Sequence, residues 1–307
     1  MSEKPPVIEV SNLCRAYGKT DAVNGLSLTV RPGRCYGFFG RNGAGKTTTI
    51  KCLLNLLKPT SGSVRLFGLD PARKEVETQS RLSWVPDSVA FYPWMRIGSY
   101  FDYLASFRQH WNGKLQRELV DRFELDPGRK ATSLSKGEKM QVALVGALCP
   151  EPELLILDEP TSGLDPLVRR DFIKTVIGAY QDTDPENRTV FVSTHLINEF
   201  EGLIDEFTIV EQGREILSMP TEEAKGRFQK VVVRFSEPDR DLSGIECMRR
   251  VDDGRTSEIF CNGNVEEVMR RLGEMNPESL NEETLSLEEI FLARVQAERS
   301  NNESALA

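Results

Sequence analysis

No stretch of this 307-residue chain approaches the ~18 consecutive apolar residues needed to cross a bilayer as a helix. The most apolar run, "VALVGALC" (142–149), reads instead as a buried helix of a water-exposed fold. The first residues, "MSEKPPVIEV", contain no apolar signal core, which leads to the expectation of a protein that stays in the cytosol. Basic excess is missing as well: 39 Lys and Arg face 47 Asp and Glu, a net charge of −8. That balance argues against broad electrostatic attraction to nucleic acid or to an anionic membrane. The six cysteines, at 14, 35, 52, 149, 247 and 261, form no CxxC pair and no metal-ligand spacing. Free, mostly buried thiols are expected. Histidine is almost absent, with only His110 and His195, and no internal repeat is visible.

What is present is an alternation of short apolar strands and helical stretches. "VIEVSNLC" and "GLSLTV" alternate as strands around the polar "YGKTDAVN", and "CYGFF" is a third strand running straight into a glycine-rich turn. "TTTIKCLLNLLK" then carries Ile50, Leu53, Leu54 and Leu57 at helical spacing, ending at Pro59. "SGSVRLFG" is a strand, and residues 88–150 lose strand character and read as helical. "ELLILDEP" and "RTVFVSTH" are continuously apolar strands of the kind buried on both faces of a parallel sheet. "EFTIVEQGREIL" is a hairpin around Gln212–Gly213. Near residue 225 the composition changes. "KVVVRF", "CMRRV" and "SEIFC" read as three strands, and "VEEVMRRLGEM" and "SLEEIFLARVQ" as two helices. The expected organisation is an α/β domain over 1–225, an accessory α+β domain over 226–296 and a disordered tail over 297–307.

The turn after the third strand is "GRNGAGKT", which satisfies G-x-x-x-x-G-K-[ST] between a strand and a helix. Its residues Gly40, Arg41, Asn42, Gly43, Ala44 and Gly45 let backbone N–H groups converge on phosphate oxygens where side chains would crowd them out. Lys46 reaches the β- and γ-phosphates, Thr47 supplies a hydroxyl to Mg²⁺, and Thr48 adds a backbone amide. Downstream, Asp158 and Glu159 end a buried strand, the place where ligands of parallel sheets gather. Asp158 is placed to hold Mg²⁺ through water, and Glu159 to orient or deprotonate an attacking water. Alone, such a pair of acids would be read as solvated strand ends; the phosphate loop upstream decides for chemistry.

With these motifs in order, the sequence resembles the ATP-binding cassette (ABC) ATPases. The specific element is "LSKGE" (134–138), similar to the family's LSGGQ signature and placed before the acidic strand. The resemblance spans residues 7 to about 220. It implies a P-loop NTPase core of ABC type, with an antiparallel β subdomain and a helical subdomain at about 88–150. It also assigns roles. Tyr17 would stack on adenine, and Ser135, Lys136, Gly137 and Glu138 would meet the nucleotide bound by a second copy. Asp165 in "SGLDP" would lie near the dimer interface, and His195 in "STHL" would contact the γ-phosphate. Ser135 and Glu138 also form an S-x-x-E capping box, a structural role compatible with phosphate contact. His110 is given no functional role.

Three positions depart from the family pattern. Asp87 stands where Gln or Glu is usual, and would reach Mg²⁺ through a water; Lys136 replaces Gly and Glu138 replaces Gln. The implied protein binds ATP and Mg²⁺, hydrolyses ATP as a homodimer and drives a separately encoded membrane permease. It would then lie on the inner face of the cell membrane, without direct nucleic-acid contact. Export is expected from the likeness of "SLEEIFLARVQ" to the end of exporter-associated cassettes. The alternative is a soluble ABC ATPase acting on ribosomes or DNA. It is disfavoured by a single cassette, by the short distance between phosphate loop and signature, and by the acidic charge.

Overall fold

The computed structural model describes residues 4–165, 169, 172–174, 180, 184–238 and 240–306. It divides into two units, Met1–Glu215 and Ile216–Ala307, earlier than the expected boundary at 225/226. The change of composition near 225 marks the start of a strand, whereas the second unit begins before it.

In the first unit, β1 (Ile8–Tyr17) pairs antiparallel with β2 (Thr20–Val30) and with β4 (Ser61–Leu66) in a three-stranded sheet. Ile8, Val10, Leu13, Leu26 and Leu28 of β1 and β2 are buried, as alternation requires of a sheet covered on one face. The central six-stranded sheet has the order β5-β6-β7-β3-β8-β9. Its members are β3 (Cys35–Gly40), β5 (Leu82–Val85), β6 (Leu154–Asp158), β7 (Thr189–Thr194), β8 (Glu206–Glu211) and β9 (Arg214–Pro220). The first five pair parallel. Every residue of β3, β6 and β7 is buried, so no polar alternation survives in them. Tyr36, Phe38 and Phe191 interlock here, with ring centroids 5.8 and 5.3 Å from Phe191. β8 and β9 join through Gln212 and Gly213, both at positive φ (50° and 77°), the turn expected of that hairpin.

α1 (Lys46–Leu53) starts inside the glycine turn and stops well before Pro59. Asn55 adopts φ 58°, and the Lys51 carbonyl accepts from both Leu56 and Leu57, so the apolar spacing at Leu57 outruns the helix itself. α2 (Glu75–Ser80) and β5 were not anticipated: one is a short polar helix, the other four residues at a sheet edge. The helical stretch expected over 88–150 comprises α3 (Ile97–Ala105), α4 (Gly113–Arg122) and α5 (Lys136–Leu148). Asn112 caps α4 by accepting from the Leu115 amide at 2.9 Å. α5 is buried from Val142 to Leu148, which explains its long apolar run.

In the second unit, β10 (Phe228–Arg234), β11 (Arg249–Asp253), β12 (Thr256–Asn262) and β13 (Ser279–Thr284) form an antiparallel sheet of order β11-β12-β10-β13. The fourth strand, "SLNEET", escaped sequence reading because it lacks any apolar alternation; it exists by pairing along β10. α6 (Thr221–Arg227) was also unforeseen. α7 (Val265–Glu274) contributes Val268 and Leu272 to a core with Val231, Val233 and Ile259. α8 runs Leu287–Leu306, over the stretch expected to be disordered; Ala, Glu and Leu in "AERSNNESAL" support the continued helix. All six cysteines are free, as expected. Burial raises the Cys149 thiol to about 12, so it behaves as a packed apolar group. Among the described residues no helix is long and apolar enough to cross a membrane.

Candidate functional site

The phosphate loop joins β3 to α1. Gly45 sits at φ 101°, and a Cβ there would collide with the carbonyl oxygen of Ala22; at Gly40 a Cβ would come within 2.7 Å of the Val210 carbonyl oxygen. The loop is thus pressed against its own fold on one side and open on the other. No side chain caps α1, so its first N–H groups remain available to an anion.

Lys46 is buried, with Nζ donating to the Gly40 carbonyl at 2.6 Å and to the Arg41 carbonyl at 3.3 Å. It also forms an ion pair with Glu159 Oε1 at 2.9 Å, not aligned as a hydrogen bond. Glu159 follows β6 at φ 48°, a left-handed backbone conformation fixed by its amide donating to the Ser193 carbonyl at 2.8 Å. Its Oε2 lies 2.8 Å from His195 Nδ1 and accepts from Thr194 Oγ1 at 3.3 Å. Glu159 is therefore clamped between a lysine and a histidine, both drawn from ends of parallel strands or the loop after them.

Asp158 is paired in register with Ser193, whose hydroxyl donates to Oδ1 at 3.0 Å. Burial pushes the Asp158 carboxyl above the usual range, opposed by hydrogen bonds from Thr47 and Ser193. Its Oδ2 is buried and unpartnered. An orphaned carboxylate oxygen beside the Thr47 hydroxyl is the donor set a divalent cation needs when phosphate oxygens and waters complete the shell. No cluster of three His, Cys, Asp or Glu that could hold a metal ion is found among the described residues.

A cavity of about 370 Å³ is lined by Arg41, Asn42, Gly43, Thr47, Thr48, Asp87 and Glu159, among others. It brings Asp87 to the loop from beyond β5. Asp87 also lines a second cavity of about 170 Å³ together with Lys136 and Lys139 at the start of α5. Two of the three departures from the family pattern, Asp87 and Lys136, thus face one space.

At the start of α5, Ser135 Oγ accepts from the Glu138 amide at 3.2 Å and Glu138 Oε2 accepts from the Ser135 amide at 2.8 Å, the expected capping box. Arg129 pairs with Glu138 and, chiefly by that hydrogen bond, holds its carboxyl below the ordinary range. Glu138 is thereby committed to the cap. Ser135, Gly137 and Glu138 do not line the phosphate-loop cavity within one chain. Nor does Tyr17, which is 47% exposed with the Arg15 guanidinium 4.8 Å over its ring. His110 pairs with Glu151 at 2.6 Å, a surface role. Asp165 accepts from the Arg169 amide at 3.0 Å, while Pro166 lies outside the described residues. Sequence reading missed Ser193 and Thr194, which fix the two acids. The signal was present: "ST" precedes His195 on a strand parallel to the acidic one.

A phosphate loop, an orphaned acid and a clamped glutamate at the ends of parallel strands define a P-loop nucleoside triphosphatase. The family model described as ABC transporter matches residues 23–162. The bacitracin transport ATP-binding protein BcrA of Bacillus licheniformis is 33% identical over 226 residues, 73% of each chain. The ABC transporter ATP-binding protein YtrB of Bacillus subtilis is 26% identical over 295 residues, 95% of this chain and 99% of that one. A solved ATP-binding subunit of an ABC transporter superposes with a TM-score of 0.64 at 25% identity, over 72% of this chain and 92% of that one. The chain belongs to the ABC transporter ATP-binding subunits and is an ATPase of that family.

Proposed function

We propose that two copies of this chain enclose two Mg-ATP head to tail and drive a separately encoded membrane permease, in the direction of export. The observation that carries the reading is the cavity where the phosphate loop, Asp87 and Glu159 meet beside the orphaned Asp158 oxygen. Gly43 to Thr48 receive the phosphates, and Lys46 turns from Glu159 toward them. Thr47 and Asp158 would hold Mg²⁺, with Asp87 reaching it through water, and the bound ion would supply positive charge to the phosphate oxygens. Glu159 orients the attacking water and accepts its proton, while His195 fixes the carboxylate and lies next to the γ-phosphate. Tyr17 carries the adenine. Ser135 and Gly137 of a second copy close the site with N–H donors of the α5 terminus, and Lys136 adds a positive charge.

Two further observations support the partner. Relatives include proteins named for bacitracin transport and for Nod factor export, the latter, from Burkholderia lata, 33% identical over 221 residues. The helical region also presents stacked Tyr92 and Trp94 and the edge-on pair Tyr103 and Phe107, with Trp94 72% and Phe107 71% exposed. Exposed aromatic pairs of this size suit docking onto a protein surface. A solved ABC transporter cassette that shares the fold, with a TM-score of 0.61 at 22% identity, is a dimer.

The test has two parts. Glu159→Gln should bind ATP and accumulate as a dimer by light scattering; monomer alone at saturating Mg-ATP would count against the sandwich. Affinity capture from gently solubilised native membranes should recover a polytopic membrane protein in near-equal amount. Recovery of ribosomal proteins instead would favour the soluble alternative.

A further inference from the structure

The second unit holds a cavity of about 690 Å³ that no part of the ATPase reading uses. Its volume falls within the range of small-molecule sites. Arg249 and Arg250 enter from β11, Arg294 from α8, and Asn262 and Asn264 from the end of β12, so residues distant in sequence converge on one space. The convergence runs against the local charge. Over 216–307 there are 12 Lys and Arg against 19 Asp and Glu, yet three arginines and a single acid, Glu246, line this cavity.

The arginines are not spent on neighbours in the usual way. Arg294 uses Nη2 to donate to the Ile216 carbonyl at 3.0 Å, and its Nε is buried without a partner. Arg249 lies over the Phe260 ring at 5.0 Å and has no carboxylate partner among the described residues. Arg250 alone is paired, with Asp252 at 3.0 Å. The amides are held in place: Asn264 Nδ2 donates to the Glu246 carbonyl at 2.9 Å, and Asn264 Oδ1 accepts from the Asn262 amide at 3.1 Å. With Nη2 held by the Ile216 carbonyl and Nε enclosed, Nη1 of Arg294 is the donor left for an acceptor. A second guanidinium, packed over an aromatic ring and without a carboxylate partner, keeps its N–H donors for two-point contact with an oxyanion.

The geometry points to a binding site in the C-terminal unit for a phosphate-bearing small molecule, with Arg249 and Arg294 as the anchoring cations. The phosphate takes the two free donor edges, and the rest of the cavity accommodates a polar body beside Asn262. The site is separate from the phosphate loop and stands whether or not the chain drives a permease.

The experiment is hydrogen–deuterium exchange on the full chain with millimolar inorganic pyrophosphate, without magnesium, against chloride at matched ionic strength. Protection is expected in peptides covering 246–264 and 290–297, resolved from any protection of the phosphate loop at 40–48. Arg249→Gln combined with Arg294→Gln should weaken the C-terminal protection at least about tenfold in midpoint concentration and leave the loop response intact. Arg294→Lys, which keeps the charge, should retain part of it. Absence of protection at 246–264 in the unsubstituted chain would overturn the site, as would equal protection by chloride. Because that arm uses the native protein, a poorly folding double variant does not blunt the test.

Discussion

The two larger sheets of this protein use their strands in opposite ways. In the six-stranded sheet, β3, β6 and β7 are buried throughout, and Asp158, Ser193 and Thr194 lie at the C-terminal ends of β6 and β7. In the four-stranded antiparallel sheet, β10 keeps only alternate residues inside and β13 is almost wholly exposed. A strand buried on both faces cannot carry chemistry along its length, so chemistry collects where the strand stops. Desolvation there shifts Asp158 and makes each hydrogen bond to it count. A half-solvated sheet has no such compulsion, and its arginines act from side chains over a cleft.

The sharpest way to break this contrast is Lys46→Ala. It should reduce ATP hydrolysis to background, because the loop loses its buried cation and Glu159 loses its ion pair; undiminished turnover would refute the site. Next, Phe191→Ala should lower unfolding free energy by about 3–5 kcal/mol, since the ring is fully buried against Tyr36 and Phe38. Val251→Ala on β11, 37% exposed, should stay within about 0.5 kcal/mol. Similar losses in a denaturant titration would erase the difference between the sheets.

A smaller effect is expected from Ser193→Ala. The hydroxyl stabilises ionised Asp158, and a hydrogen bond to a charged group is worth roughly tenfold in rate or metal affinity. Removing it raises the Asp158 pKa further, so the acid limb of the kcat/KM profile should move to higher pH. An unmoved limb would show that Asp158 does not set it. The smallest effect belongs to the solvated surface of α7, where Arg270 and then Arg271 hold the Glu267 carboxyl at about 2. That contribution is present above the ordinary glutamate range and fades as pH falls toward about 2. Glu267→Gln should therefore lower stability slightly at neutral pH, converge with the parent near pH 2 and so flatten the acid side of the profile.

The same contrast explains what could be read from the sequence. β3, β6 and β7 were legible because double burial writes a continuous apolar run, and the phosphate loop because only glycine fits beside Ala22 and Val210. The acids were legible as the point where such a run ends. β13 was invisible, since pairing along β10 asks nothing of side-chain pattern. β5 and α2 were too short for periodicity, and α1 ended early because Asn55 turned left-handed where spacing alone implied continuation. Ser193 and Thr194 required register: only the pairing of Asp158 with Ser193 makes their role evident. The clamp on Glu159 by Lys46 and His195 joins three distant segments, and no spacing encodes it.

Glu159 holds φ 48°, a conformation that glycine or asparagine adopts with less strain. The residue demanded by hydrolysis is thus not the one the backbone prefers, and the difference is of order 1 kcal/mol. What holds the glutamate in this conformation is its side chain: Lys46 and His195 both close on the carboxylate, so glycine would relieve the backbone and leave a buried ammonium without its counter-charge.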